Sequence, residues 1–375
     1  KQLIDSLKGI CASYGLGNDG NEFKIITQVF LYKFLNDKFA FELKKINKDV
    51  ANAGVKWEEA YISLSDNDKD MLRFELGGKT AFLNSEHLIS TLFNRQNESD
   101  FAKLFDDTLR DIAKQNNDIF AVKTDGGTKI TLFEQNGLSN FISDESKRDS
   151  FCRAIINKLA DFSFEQIFKE KFDFFATIFE YLIKDYNKDS GGKYAEYYTP
   201  HAVAKIMAAI MVKGDVKNVS CYDPSAGSGT LLMNIAHAIG EDNCTIYSQD
   251  ISQKSSNLLR LNLILNNLVH SISNIIQGNT MLHPYFKDGN NLKKFDYIVS
   301  NPPFKMDFSD FRDDLDTKEN KDRFFAGIPK IPAKKLESMA IYSLFLQHII
   351  YSLKPNGKAA VVVPTGFITA QSGID

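Results

Sequence analysis

The sequence predicts an α/β fold, a parallel sheet covered by helices and preceded by an all-helical N-terminal domain. Two observations predict it. Residues 161–375 alternate short apolar runs with helix-length segments, and repeated strand–helix units of this size build parallel sheets covered on both faces. Residues 1–160 instead place apolar side chains mostly at helical spacing. A chain of 375 residues is long enough for two cores, which puts the domains at 1–160 and 161–375.

In the helical half, residues 22–43 carry Phe23, Ile26, Phe30, Phe34 and Leu35 at helical spacing, with Lys and Asp between them. That pattern predicts a helix whose aromatic stripe is core, not a ligand box. Further helices are expected at 86–93, 101–114 and 147–159. Asp125-Gly126-Gly127, within 116–140, marks a turn or short hairpin. Leu76-Gly77-Gly78-Lys79-Thr80 resembles the end of a phosphate-binding loop, but Arg73 stands where that loop needs its first glycine. Gly77-Gly78 is therefore read as a turn.

In the α/β half, strands are expected at 219–222, 244–248, 272–277, 295–300 and 358–363. Helices are expected up to residue 239, at 252–266 and at 340–353. Right-handed crossovers then gather the C-terminal strand ends on one edge, where ligands bind. Residues 305–335 are densely charged and follow the fourth strand, which predicts a mobile loop whose Lys321, Arg323, Lys330, Lys334 and Lys335 are placed to meet phosphates.

Composition narrows the function classes. No apolar run approaches the roughly 18 residues of a membrane span. The four cysteines are scattered, without a Cys-x-x-Cys pair, and the six histidines show no ligand spacing, so neither a disulfide framework nor a metal site is expected. A reducing, cytoplasmic setting fits. The net charge of −3 is unlike that of a protein that grips duplex DNA alone. The chain starts at Lys1 without an initiator Met, which predicts a fragment of a longer protein.

Three short segments carry chemistry. Asp223-Pro224-Ser225-Ala226-Gly227-Ser228-Gly229-Thr230 follows the first strand, and its glycines let backbone approach a ligand where a Cβ would clash. The second strand ends about 20 residues on, at Asp250, where an acid can accept from both ribose hydroxyls of an adenosine cofactor. Leu232 replaces the third small residue of a nicotinamide site, and the Asp-Pro opening is like an S-adenosylmethionine site. Asn301-Pro302-Pro303-Phe304 ends the fourth strand. The Asn301 side-chain carbonyl and the Pro302 backbone carbonyl can accept the two hydrogens of an adenine amine, turning its lone pair towards a methyl donor. Phe304 offers a stacking surface. Such a pocket reaches only a flipped-out base. Carbon-5 cytosine methylation needs a Cys nucleophile, usually after Pro, and no Pro-Cys pair occurs. Finally, Glu196-Tyr197-Tyr198-Thr199-Pro200-His201 precedes a helix, with Thr199 suited to its N-cap and Pro200 to its first turn. Without context this is merely a capped helix; with a ligand present, its N-terminus and the Thr199 hydroxyl would meet a methionine carboxylate.

In that order, Tyr-Tyr-Thr-Pro, Asp-Pro-Ser-Ala-Gly-Ser-Gly and Asn-Pro-Pro-Phe resemble the gamma group of DNA amino-methyltransferases. More closely, the chain is similar to the modification subunit (HsdM) of type I restriction-modification systems. The likeness begins in residues 22–39 and continues through 344–348, 353–357 and 361–367. It implies a Rossmann-like S-adenosylmethionine-dependent methyltransferase sheet acting on double-stranded DNA. It also implies a separate specificity subunit and a restriction (nuclease/translocase) subunit in a multi-subunit complex. Glu196 to His201, Asp223 and Ser225 to Gly229 would line the cofactor, Asp250 would hold its ribose, and Asn301 to Phe304 would hold the adenine. One departure stands out: the usual Gly-Asp-Thr after the third strand is Gly278-Asn279-Thr280, with Asn279 left to accept from the cofactor's adenine amine. The family continues past Asp375 into helices that dock the specificity subunit, a segment expected to be missing from this chain. Competing readings are a stand-alone adenine methyltransferase, a protein-glutamine methyltransferase, and a catalytically dead binding module.

Overall fold

The computed structural model describes residues 1–17, 20–165, 167–169, 181 and 199–368. The chain forms two compact units, Lys1–Ala121 with Thr131–Gly192, and Val122–Ile130 with Lys193–Asp375. This differs from the division into 1–160 and 161–375, because the stretch Val122–Ile130 leaves the helical half and joins the sheet.

The helical unit is organised on a long helix, Gly20–Ile46. All five residues of its apolar stripe are buried, but so are Lys33, Asp37, Lys38 and Glu42 of the same helix. These charges tolerate burial as i,i+4 pairs, Lys33–Asp37 and Lys38–Glu42, each at 2.9 Å. Asp37 further accepts the Phe164 N–H at 2.8 Å, and Asn36 accepts that of Ile89 at 3.1 Å. A buried charge is tolerable only when its partners are complete in this way. Helices Phe101–Gln115 and Arg148–Ala160 stand where their apolar periods predict them. The helix expected at 86–93 starts later, as Ile89–Arg95, behind a 3-10 turn at Ser85–His87. Gly77 is the left-handed C-cap of helix Asp66–Leu76, so the Gly-Gly-Lys-Thr sequence is a helix end.

The second unit begins with a hairpin, β1 (Val122–Thr124) and β2 (Lys129–Ile130), at the turn the sequence marked. It continues with β3 (Val219–Asp223), β4 (Cys244–Asp250) and β5 (Ile275–Gln277). A small separate hairpin, β6 (Lys287–Asp288) with β7 (Asn291–Leu292), precedes β8 (Phe295–Ser300) and β9 (Leu353–Val361). The sheet order is β2-β1-β5-β4-β3-β8-β9. Every neighbouring pair is parallel except β1–β2. β5 is shorter than expected because residues up to Asn274 form a 3-10 turn. β9 starts earlier than expected: Leu353 already pairs with Phe295, and Pro355 to Gly357 bulge out before Lys358 pairs with Tyr297.

Residues 305–335 overturn one expectation. Phe308, Leu315 and Phe324 bury against Met281, Met339, Ile341, Leu344 and Phe345, so the segment has a core of its own. Arg323 is 3% exposed and cannot meet phosphate. It donates to His348 Nδ1 at 3.0 Å, the Met281 carbonyl at 2.7 Å and the Thr280 carbonyl at 2.8 Å. Arginine only donates, so His348 is neutral with its proton on Nε2, facing the Tyr222 hydroxyl at 3.2 Å. Burial, reinforced by the Arg323 charge, holds His348 well below the usual imidazole range. Lys321, Lys330, Lys334 and Lys335 remain exposed.

Candidate active site

β3 delivers Asp223 to the ligand edge, and the next turn depends on two glycines in the left-handed region, Gly227 (φ 53°) and Gly229 (φ 80°). A Cβ on Gly229 would also run into Leu259. The Gly229 N–H closes the turn on the Ala226 carbonyl at 2.8 Å, and helix Thr230–Ile239 follows. Ser228 is buried, with its carbonyl accepting from Asn262 at 3.0 Å.

Asp250, at the end of β4, is fastened to this loop. Its Oδ2 accepts the Gly227 N–H at 2.9 Å and its Oδ1 the Ser252 N–H at 2.8 Å. Burial pushes its carboxyl up, against the pull of those two N–H groups. Asp223 is more deeply enclosed. Burial pushes its carboxyl up to about 7, although the Ser225 N–H donates to it at 2.9 Å. The nearby Asp250 adds to that rise. Ser225 Oγ in turn lies 2.7 Å from Ser300 Oγ, joining the ends of β3 and β8.

Asn301, immediately past β8, donates through Nδ2 to Thr199 Oγ1 at 3.2 Å. The expected N-cap is therefore not made. Helix His201–Met211 has Pro200 in the N-cap position and no side-chain cap, and the buried Thr199 hydroxyl turns to Asn301 instead. His201 Nδ1 lies 3.2 Å from Asn234 Nδ2, which ties this helix to the one after the glycine loop. Pro302 is buried, Pro303 exposed, and Phe304 is 37% exposed. Glu196, Tyr197 and Tyr198 lie outside the described residues.

Asn279 follows β5 and spends its Oδ1 on the N–H groups of Met281 at 3.0 Å and Leu282 at 3.3 Å. Thr280 Oγ1 donates to the Pro224 carbonyl at 2.7 Å, tying this turn to the Asp-Pro loop. The structure thus brings Asp223, Ser225 to Gly229, Asp250, Asn279, Asn301 and Thr199 to one edge of the sheet. Sequence reasoning missed Ser300, whose only signal is its place before Asn301. It also missed Ile251, an apolar side chain 61% exposed beside Asp250. Among the described residues, no three His, Cys, Asp or Glu side chains gather as a metal site, and all four cysteines are buried and free. No described helix is long and apolar enough to cross a membrane.

This arrangement can be set beside known proteins. The chain is 24% identical to the type I restriction enzyme MpnII methylase subunit of Mycoplasma pneumoniae, over 98% of this chain and 67% of that protein. It is 29% identical to the EcoEI methylase subunit of Escherichia coli, over 59% of this chain and 42% of that protein. The chain thus spans only part of the length of these relatives. In fold it matches the type I restriction-modification methyltransferase subunit of Streptococcus thermophilus, with a TM-score of 0.72, 22% identity, and coverage of 97% of this chain and 75% of that one. The family model described as N-6 DNA Methylase matches residues 170–373, more than half of the sequence and nearly all of the sheet-bearing unit. With that match lying across the glycine loop, Asp250 and the Asn-Pro-Pro-Phe turn, the chain belongs to the N-6 DNA methylase family.

Proposed function

We propose that this chain transfers a methyl group from S-adenosylmethionine to the N6 amine of an adenine flipped out of double-stranded DNA. It does so as the modification subunit of a type I restriction-modification system, working with specificity and restriction subunits in the cytoplasm. The observation that carries the reading is the hydrogen bond from Asn301 to Thr199, which joins two motifs far apart in the chain at one strand end.

That bond sets the chemistry of Asn301. With Nδ2 committed to Thr199, Oδ1 is the atom left to face a substrate, and it accepts. An adenine amine is a poor nucleophile because its lone pair is delocalised into the ring. Accepting one of its hydrogens at Oδ1 and the other at the Pro302 carbonyl favours a tetrahedral nitrogen with its lone pair free. Phe304 holds the base by stacking, and the stiff Pro302-Pro303 turn keeps the two acceptors in place.

The residues at the neighbouring strand ends fit the methyl donor. Gly227 and Gly229 hold the loop in a left-handed turn, Asp250 supplies a carboxylate beside it, and Ile251 offers an apolar face to an adenine ring. When bound, S-adenosylmethionine supplies an electrophilic methyl on a positively charged sulfur. Asp250 would orient the ribose, and His201 at a helix start would face the methionine end.

The near-neutral charge supports delegation of sequence reading to a partner. The test uses the full-length protein with duplex DNA, with and without its specificity subunit, and maps the methylated atom. Site-specific N6-methyladenine only with the partner is expected. By itself the protein should hold DNA at roughly 10⁻⁴–10⁻⁶ M near physiological salt, without sequence preference. Tight, selective binding alone would favour a stand-alone methyltransferase, and methylation of a protein glutamine would overturn the substrate.

A further inference from the structure

Asn279 cannot do what its position suggests. An amine on the cofactor's adenine needs an acceptor, and an amide oxygen has two lone pairs. Asn279 Oδ1 already accepts from Met281 at 3.0 Å and from Leu282 at 3.3 Å. Its other terminal atom is Nδ2, a donor, and two donors facing each other make no bond. The acceptor has to come from another element.

The edge of the sheet supplies one. β1 runs parallel to β5, so its C-terminal end lies on the same ligand edge as Asp250 and Asn301. Asp125 follows β1 directly, and its N–H donates to the Gln277 carbonyl at 2.9 Å, fixing the turn beside the end of β5. Its carboxylate lies against Gly278, where any Cβ would collide with it. A glycine directly before Asn279 is therefore what admits an acid from the hairpin. That carboxylate is 28% exposed, with His283 Nδ1 at 3.7 Å, so acceptor capacity remains.

Spacing agrees. β4, β5 and β1 are successive neighbours, and strands lie about 4.8 Å apart, so Asp250 and Asp125 stand about two spacings apart. An adenosine held at its ribose hydroxyls by one acid and at its amine by the other covers such a span. Ile251, exposed beside Asp250, offers the base an apolar face on the way.

We propose that Asp125 accepts the hydrogen bond of the cofactor's exocyclic amine, so that a residue from the N-terminal half selects adenosine at this site. The proposal rests on reading this edge as the S-adenosylmethionine site. It is tested by calorimetric titration of the full-length protein with S-adenosylhomocysteine and with S-inosylhomocysteine, which carries an oxygen in place of the amine. Wild type should prefer the amine form. Asp125→Ala should weaken S-adenosylhomocysteine about tenfold or more, as expected for a charge-assisted bond, and leave S-inosylhomocysteine unchanged or tighter. Adding Asn279→Asp to Asp125→Ala should restore the preference, because a carboxylate there can cap the turn and still accept. Asp250→Ala should weaken both ligands alike. Equal affinities of wild type and Asp125→Ala for both ligands would overturn the assignment. Equal weakening of both by Asp125→Ala would overturn it too, reducing Asp125 to a structural role. Failure of wild type to bind either ligand would sink the cofactor reading itself, and this assignment with it.

Discussion

Two strand ends on the same edge of the sheet are held in different ways. Asp250, at the end of β4, is gripped by two backbone N–H groups, those of Gly227 and Ser252, and is as rigid as the turns that carry them. Asn301, at the end of β8, is steadied through its side chain by one contact, to Thr199 at 3.2 Å. On the proposed function, the cofactor end is thus built into the backbone, whereas the base end depends on a side chain brought from another motif. The difference suits their tasks. A ribose contact is equally useful before and during reaction, but an acceptor for the amine matters most as charge develops in the transition state.

The contrast is broken most directly at the base end. Asn301→Ala should lower turnover by on the order of a hundredfold or more, the effect of removing one preorganised group from a transition state. Cofactor affinity should stay close to wild type, which calorimetry alongside single-turnover methylation would check. A mutant that methylates adenine at the wild-type rate would remove Asn301 from the chemistry. Asp250→Ala should act in the opposite sense, weakening cofactor binding by about ten- to a hundredfold, from a charge-assisted contact worth roughly 1.5–3 kcal/mol. Unchanged affinity in a folded protein would show that the ribose lies elsewhere.

Legibility in the sequence followed the same division. β3, β4 and β8, with the glycine loop, Asp250 and Asn301, were readable because local pattern dictates them: a short apolar run, then a turn whose chemistry admits few residues. What depended on distant packing was not readable. β1 spans only Val122–Thr124, too short to show alternation, and its place beside β5 is made by pairing across the chain. Thr199 reads as an N-cap from its neighbours alone, and only the fold brings Asn301 to it. Arg323 reads as a surface charge in a charged stretch, yet carbonyls of Thr280 and Met281 and the ring of His348 enclose it. The polar residues of helix Gly20–Ile46 mislead similarly, since i,i+4 pairing lets them be buried.

Asp223 extends the comparison to stability. Its carboxyl, ordinarily near 3.8, is pushed up to about 7 by burial. Between those values the folded state holds a proton that the unfolded state has lost, so stability falls as pH rises through this window, and the full penalty stands above pH 7. Asp223→Asn removes the titration. The cofactor-free variant should therefore be more stable than wild type above pH 7, by on the order of 4 kcal/mol, with the gap closing towards pH 4. Denaturant midpoints at several pH values would check it. A gap that did not depend on pH would mean that Asp223 keeps an ordinary carboxyl in the folded state.

The smallest expected effect sharpens the comparison most. Thr199→Val keeps the shape of the side chain and deletes the hydroxyl that accepts from Asn301. One neutral hydrogen bond is worth about 1 kcal/mol, which converts to roughly a fivefold change in rate. The loss should exceed the bond energy slightly, because a released amide can turn over and present Nδ2, a donor, to the amine. Turnover is therefore expected to fall about five- to tenfold, with cofactor affinity unchanged, and Thr199→Ser should keep most of the rate by retaining the hydroxyl. The two variants measured together, by single-turnover methylation and by cofactor titration, separate the alternatives. A Val variant that lost cofactor affinity at unchanged turnover would move Thr199 to the methionine end of the site. Asn301 would then have to be steadied by its backbone alone, as Asp250 is steadied by the N–H groups around it, and the two strand ends would no longer differ in kind.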